Sequence, residues 1–144
     1  LPIYIAAGKP VFGTCAGMIL LARKLDNDSN VYFGALDAVV RRNAYGRQLG
    51  SFVATADFGA SGDSAVVVAP GEHVPQDAPA DIVLKDFPLV FIRGPFVAEV
   101  GPAATVETSV DGNVVGLRQG KILATAFHPE LTDDTRIHEM FLSL

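Results

Sequence analysis

The sequence predicts an α/β domain in which helices flank a mixed β-sheet. Short apolar segments typical of buried strands recur along the chain, separated by turns that contain Gly, Pro or Asp. Two further segments space their apolar residues three and four positions apart, as amphipathic helices do. The composition, with 49% hydrophobic and 19% charged residues over 144 positions, is typical of one folded domain with a real core.

The first elements are a helix end, a strand and a second helix. Residues 2–7 lead into Gly8, a residue type that often ends a helix, and residues 11–12 form a short apolar strand. A glycine-rich turn follows, and then apolar residues recur at the helical spacing i, i+3, i+4 and i+7. These residues are Met18, Leu21, Ala22 and Leu25.

Strand patterns dominate the rest of the chain. The predicted strands cover residues 34–40, 51–56, 89–92, 105–109, 114–118 and 122–126. Asp111-Gly112 is a hairpin turn between two of these strands. We expect Thr132 to cap a final helix that has Asp133 and Asp134 in its first turn. Its buried stripe consists of Ile137, Met140, Phe141 and Leu144.

Residues 59–81 are rich in Gly, Pro and acidic residues and predict a surface insertion. The segment is longer than most connections in a compact domain, which favours a variable or functional role. Val66, Val67 and Val68 could add a short strand within it.

Net charge and cysteine content narrow the possible partners and compartment. A formal charge of −5 provides no basic surface for nucleic acid or an anionic membrane, so neither is an expected partner. The chain has one cysteine, which excludes an internal disulfide and fits a reducing compartment such as the cytoplasm.

That cysteine, Cys15, lies in a Gly-x-Cys-x-Gly motif between the predicted strand and helix. This is the form of a nucleophile elbow, where a sharp turn exposes the reactive atom. Small residues at Gly13 and Gly17 would allow close backbone approach, and the helix N-terminus would lower the thiol pKa. The Ala16 amide would be an oxyanion donor. The alternative is that Cys15 is a buried small hydrophobe, the commoner role of a lone cysteine.

A thiol nucleophile needs a base, and the base needs an orienting acceptor. Of the three histidines, His73 lies in the insertion and is expected to be solvated, whereas His138 is expected to be a partly exposed helix residue. His128 follows an apolar strand, and Glu130 could share its face if the backbone is extended. Otherwise His128-Pro129-Glu130 is only a turn before the last helix.

Four stretches together resemble the class I, triad-type glutamine amidotransferases. Within that group the sequence is most similar to the glutaminase subunits of pyridoxal 5′-phosphate synthases. The elbow and the His-Pro-Glu turn occur throughout class I, whereas the second and third stretches are much more specific to the vitamin B6 branch. The matching stretches are GKPVFGTCAGM (residues 8–18), RNAYGRQ (42–48), FIRGP (91–95) and FHPELT (127–132).

The resemblance implies a flavodoxin-like class I fold and hydrolysis of L-glutamine to L-glutamate and ammonia. Cys15, His128 and Glu130 match the catalytic triad, without metal or cofactor. Arg42, Ile92 and Arg93 match the glutamine-contacting positions, although both arginines could instead form surface or interdomain salt bridges. The ammonia would pass to a separate barrel-shaped synthase subunit that makes pyridoxal 5′-phosphate.

The resemblance begins partway through the family's pattern. The family's first strands and a Gly-Gly-Glu-Ser-type loop would precede residue 1, so we expect residues 1–144 to be a single glutaminase domain and a C-terminal fragment. Two alternatives stay open. One is a non-catalytic remnant that docks on the synthase subunit, and the other is a glutaminase subunit that serves another amidotransferase.

Overall fold

The computed structural model describes residues 2–26, 29–41, 51–59, 65–76, 81–92 and 95–144. Three short α-helices, a 3₁₀ turn and ten strands lie within these ranges. The helices are α1 (Pro2–Ala6), α2 (Ala16–Leu21) and α3 (Arg136–Leu142), and the 3₁₀ turn is Pro129–Leu131. The strands are β1 (Val11–Thr14), β2 (Ala22–Leu25), β3 (Leu36–Arg41), β4 (Ser51–Gly59), β5 (Val66–Val68), β6 (Ile82–Ile92), β7 (Phe96–Val100), β8 (Thr105–Val110), β9 (Asn113–Gln119) and β10 (Ile122–Thr125). No helix in these ranges is long and apolar enough to cross a membrane.

A four-stranded mixed sheet carries both segments of the predicted triad. Its order is β1-β10-β9-β8, with β1 parallel to β10 and the other pairs antiparallel. In the parallel pair, Gly13 lies opposite Ala124 and Thr14 opposite Thr125. Because parallel strands end at the same edge of a sheet, the residues that follow β1 and β10 emerge together. These residues include Cys15 and His128.

The α/β class with mixed sheets is confirmed, but the strands form three sheets within the described ranges where the sequence suggested one. The second sheet has the order β2-β3-β7 and the third the order β4-β6-β5. Each contains one parallel and one antiparallel pair. The division follows from long-range pairing, which a local apolar pattern does not specify.

Two predicted helices differ from the structure. The helix after the elbow ends at Leu21, and β2 follows it because β3 supplies backbone partners from Ala22 onward. Thr132 does not cap the last helix, because its hydroxyl donates to the Pro129 carbonyl and Thr135 is the residue before α3. Asp133 and Asp134 therefore precede α3 and do not lie in its first turn.

The other predicted elements agree in kind and differ in their ends. Several strands are longer than predicted, above all β6, which begins seven residues before the predicted residue 89. Asp111 and Gly112 do form the β8–β9 hairpin turn, with φ angles of 51° and 80°. Such left-handed angles at both turn residues are those of a type I′ turn.

The described part of the 59–81 segment lies against α3. Strand β5 extends the third sheet by pairing in parallel with β6. Beyond it, the amide of Val74 and the ring of His73 contact the Glu139 carboxylate at 2.8 and 3.1 Å. The Gln76 side chain donates to the Glu139 carbonyl at 3.2 Å. Residues 65–76 are thus attached to the last helix, and the interpretation of 59–81 as an insertion stays a prediction.

Arg136 joins α3 to the third sheet from inside the core. Its side chain is 2% exposed and donates to the carbonyls of Val68 and Lys85, both at 2.7 Å. Its remaining donors bind both carboxylate oxygens of Asp134, and its guanidinium lies over the Phe87 ring. A buried guanidinium is tolerated here because several acceptors compensate for its desolvation.

Replacement of Arg136 by methionine should strongly destabilise the fold. The change leaves the half-buried Asp134 carboxylate and two carbonyls without their donor, and we expect the free energy of unfolding to fall by about 3 kcal/mol. Urea unfolding followed by circular dichroism measures the loss. The matched control is R23M, because Arg23 binds Asp37 in an exposed ion pair and should matter little. Equal midpoints for the two variants would contradict this role of Arg136.

Candidate active site

Cys15 occupies a strained turn between β1 and α2. Its φ and ψ angles are 49° and −103°, outside the regions that non-glycine residues ordinarily adopt. The turn is held from β10, where the Thr125 carbonyl accepts the Cys15 amide at 2.8 Å. Backbone strain of this kind costs about 1–3 kcal/mol and tends to occur where function requires it. The geometry is that of the elbow predicted from the motif.

The two glycines of the motif have different roles. A Cβ at Gly13 would lie 2.8 Å from the Gly17 carbonyl carbon and 2.8 Å from Leu21 Cδ1, so any side chain there is excluded. A Cβ at Gly17 would meet no described atom within 4 Å. The expectation of close packing is therefore confirmed for Gly13 and wrong for Gly17 among the described residues.

A compact turn after β10 places His128. The Thr125 hydroxyl donates to the Phe127 carbonyl at 2.9 Å, and the His128 amide donates to the Val90 carbonyl of β6 at 2.8 Å. Buried Pro129 then begins the 3₁₀ turn. Glu130 reaches His128 from within this turn, which corrects the expectation that an extended backbone would put both side chains on one face.

The three side chains form a continuous chain of contacts. Cys15 Sγ lies 2.8 Å from His128 Nε2, and His128 Nδ1 lies 2.7 Å from Glu130 Oε2. A carboxylate only accepts, so Nδ1 carries the proton that faces Glu130. In the neutral ring, Nε2 is then the acceptor that faces the thiol, the tautomer required for a general base. The structure thus brings the three predicted residues together, and their catalytic roles stay predictions.

The thiol itself is buried and protonated at neutral pH. Burial, reinforced by the negative charge of Glu130, raises the pKa of Cys15 to about 11. This corrects the expectation that the helix N-terminus would lower the pKa, because loss of hydration and the negative charge of Glu130 both disfavour the thiolate. The thiol is also within 3.2 Å of the Ala126 carbonyl, a second acceptor for its proton.

Ala16 begins α2 directly after Cys15 and is exposed. The first amides of a helix have no acceptor within the helix, so an N–H at this position can donate to an anion. The amides of Met18 and Ile19, further along α2, already have an acceptor, because both donate to the Cys15 carbonyl. Ala16 therefore stays the predicted oxyanion donor.

The two other histidines do not take part in this arrangement. His73 is largely exposed, as expected, but it also contacts Glu139. His138 is half-buried, with its ring centroid 5.6 Å from that of Phe12. Both findings agree with the structural roles expected for these residues.

Of the three predicted glutamine contacts, the structure describes one. Ile92 is the last residue of β6, is 46% exposed, and lies two positions after the carbonyl that binds His128. Arg42 and Arg93 lie outside the described residues. All three assignments remain predictions.

Sequence reasoning missed the backbone groups that fix the geometry. The carbonyls of Val90, Thr125 and Ala126 hold the His128 turn, the elbow and the thiol, respectively. A carbonyl has no residue signature, so no motif could have revealed these contacts. The pairing of β1 with β10 brings the Thr125 carbonyl to Cys15, and a local sequence pattern does not specify that pairing.

Comparison with known proteins agrees with this fold. The family model for the SNO glutamine amidotransferase family matches residues 1–144, and the chain belongs to that family. A pyridoxal 5′-phosphate synthase subunit PdxT from Bifidobacterium adolescentis is 96% identical over 142 residues, which are 98% of this chain and 68% of the relative. The PdxT of Bifidobacterium longum is 75% identical over 98% of this chain and 65% of its own length.

A solved structure is also similar. It is described as a crystal structure of glutamine amidotransferase, has a TM-score of 0.76 and is 34% identical, covering 99% of this chain and 65% of its own chain. The chain thus spans about two thirds of the length of the relatives that it matches.

Proposed function

We propose that this chain carries the glutaminase chemistry of a pyridoxal 5′-phosphate synthase, hydrolysing L-glutamine to L-glutamate and ammonia. The observation that carries the proposal is the contact chain from the Cys15 thiol through His128 to Glu130, built on a strained elbow. Membership of the SNO family and the likeness to PdxT proteins support it. Residues 1–144 then form one glutaminase domain, with residues 59–81 as a surface insertion.

In the first step the Cys15 sulfur attacks the side-chain amide carbon of glutamine. His128 Nε2 removes the thiol proton as the sulfur–carbon bond forms, which avoids a free thiolate in a site where burial disfavours one. Glu130 stabilises the imidazolium that results. The negative oxygen of the tetrahedral intermediate accepts a hydrogen bond from the Ala16 amide.

The intermediate then collapses. The carbon–nitrogen bond breaks, His128 donates its proton to the departing nitrogen, and ammonia leaves a γ-glutamyl thioester on Cys15. Water attacks the thioester carbonyl and gives one proton to His128, which returns it to the sulfur. The new γ-carboxyl group then ionises and releases its proton to solvent, so glutamate and the starting thiol result and atoms and charge balance.

Substrate and partner complete the proposal. Arg42 and Arg93 would pair with charged or polar groups of glutamine, and Ile92 would contact it at the end of β6. The partner is the barrel-shaped synthase subunit, which consumes the ammonia in the cytoplasm. No nucleic acid, membrane, metal or cofactor takes part.

Glutamate release from glutamine, measured with and without the synthase subunit, tests this function. We expect release that depends on the partner. Binding to the partner without turnover would instead support a non-catalytic remnant. Ammonia delivery to a different synthase would support the other alternative, a glutaminase subunit that serves another amidotransferase.

The reactivity of the resting thiol should rise with pH beyond the ordinary cysteine range. Below a pKa of about 11 the thiolate fraction increases about tenfold per pH unit, so iodoacetamide should alkylate Cys15 ever faster from pH 7 to 9.5. The same chain in urea is the control, because its unfolded cysteine should level off near its ordinary pKa of 9.0. A fast rate in the native protein that is independent of pH would indicate a resting thiolate–imidazolium pair and contradict this account.

A further inference from the structure

A cavity lined by charged and apolar residues lies away from Cys15, where the β8–β9 hairpin, the start of β6 and helix α3 meet. Its volume is about 270 Å³, room for roughly nine water molecules. It adjoins Gly120, which precedes β10, whereas Cys15 and His128 lie beyond the other end of β10. Strand β10 runs from Ile122 to Thr125, and these three residue-to-residue steps alone span about 10 Å. The lining residues are Asp81, Ile82, Thr105, Glu107, Arg118, Gly120 and Met140.

Glu107 is the unusual residue of this cavity. The residue is 6% exposed, and Arg118, a charged residue of the same lining, acts on its carboxylate through its positive charge. A carboxylate in so buried a residue loses hydration, and this loss is costly unless donors or a positive charge compensate for it. Burial raises the pKa of Glu107, and the positive charge of Arg118 opposes that rise only in part.

A strand irregularity accounts for this placement. Val106 pairs with Leu117 and Thr108 with Gly116, so Glu107 is an extra residue in β8. Such a β-bulge turns a side chain away from its regular direction and is common beside functional sites. The register of β8 on β9 shifts at this bulge, and Glu107 lines the cavity there.

The lining has complementary chemical features at its mouth and its floor. Exposed Asp81 and Thr105 and half-buried Arg118 lie towards solvent, whereas Ile82 and Met140 are buried. A ligand that satisfies these groups has a cationic donor for the carboxylates, an anionic acceptor for the guanidinium and a short aliphatic part for the apolar wall.

We propose that this cavity is a binding site for a small α-amino acid, with the ammonium group at Glu107, the carboxylate at Arg118 and the side chain against Ile82 and Met140. The site is separate from the triad, and binding there does not require the glutaminase reaction. An amino acid is about the size that the cavity admits and carries both charges on one carbon.

L-Norvaline is the probe, because it has no side-chain amide and the proposed glutaminase reaction does not consume it. Titration of the intact ¹⁵N-labelled protein should give saturable shifts of the amides of Thr105, Glu107 and Gly120. Butylamine and propionate, which carry one charge each, should bind more weakly. Shifts confined to the residues around Cys15, or no saturable shifts, would overturn the proposal and leave solvent as the occupant.

The E107Q variant keeps the size of the side chain and removes its charge, and should weaken norvaline binding by about tenfold or more. The matched control is E99Q, because Glu99 is exposed on β7 and should leave binding unchanged. If E107Q does not fold, R118Q tests the same site, because Arg118 is half-buried and its replacement removes the charge proposed to bind the carboxylate. Unchanged affinity in whichever of these two variants folds would overturn the assignment.

Discussion

Replacement of Cys15 by alanine is expected to abolish glutamate release while the fold survives. The thiol is the only nucleophile within reach of His128 in the described contacts, and without it no acyl intermediate can form. Loss of a covalent nucleophile typically lowers kcat by several orders of magnitude, about 10⁶-fold in the best-studied triad. Initial rates of glutamate formation beside the synthase subunit measure the effect.

The Cys15→Ala substitution should have little effect on the stability of the fold. Alanine removes one buried sulfur, and it retains the Cys15 amide that donates to Thr125. The positive φ remains, so the strain of the elbow remains as well. An unchanged unfolding midpoint together with lost activity is the expected pair of results. Appreciable glutamate release by C15A would refute Cys15 as nucleophile.

Replacement of Gly13 by alanine is expected to have the second large effect on activity. In G13A the new methyl group would lie 2.8 Å from both the Gly17 carbonyl carbon and Leu21 Cδ1, closer than real Cβ contacts allow. Strand β1 or helix α2 must then move. A displacement of about 1 Å at a reacting atom can lower a rate about a hundredfold. We expect G13A to lower kcat by at least that factor.

G17A is the matched control, because it adds the same methyl group four residues away in open space within the described structure. Alanine also has the higher helix propensity, so α2 should be as stable or slightly more stable. Activity and unfolding midpoints of both variants give the comparison. Equal losses in G13A and G17A would show that the elbow does not depend on the β1–α2 approach.

Local sequence patterns located Cys15, His128 and Glu130, because these residues lie close to turns with clear signatures. The glycine before Cys15 and the strand before His128 locate two parallel strand ends, and the positions of the side chains follow. Backbone pairing was harder to predict. Ala22 and Leu25 are buried, as predicted for the apolar face of an amphipathic helix. They lie in strand β2, however, because β3 pairs with this segment.

Sequence patterns also did not predict which charged residues are buried in the interior. Arg136 is buried because Val68 and Lys85, more than 50 positions away, offer their carbonyls. Glu107 lines a cavity at a point where the pairing of β8 with β9 shifts its register. Neither arrangement has a local signature, since each depends on segments that only the fold brings together. The high pKa of Cys15 has the same origin, because burial is a property of the whole domain.

Trapping with hydroxylamine tests the central claim, a glutamyl thioester on Cys15, most directly. Hydroxylamine is a stronger nucleophile than water and should divert the thioester to γ-glutamyl hydroxamate. The account predicts that hydroxamate rises with hydroxylamine concentration at the expense of glutamate, and that ammonia equals the sum of the two products. Glutamate formed at an undiminished rate, with no hydroxamate at any hydroxylamine concentration, would contradict a covalent intermediate.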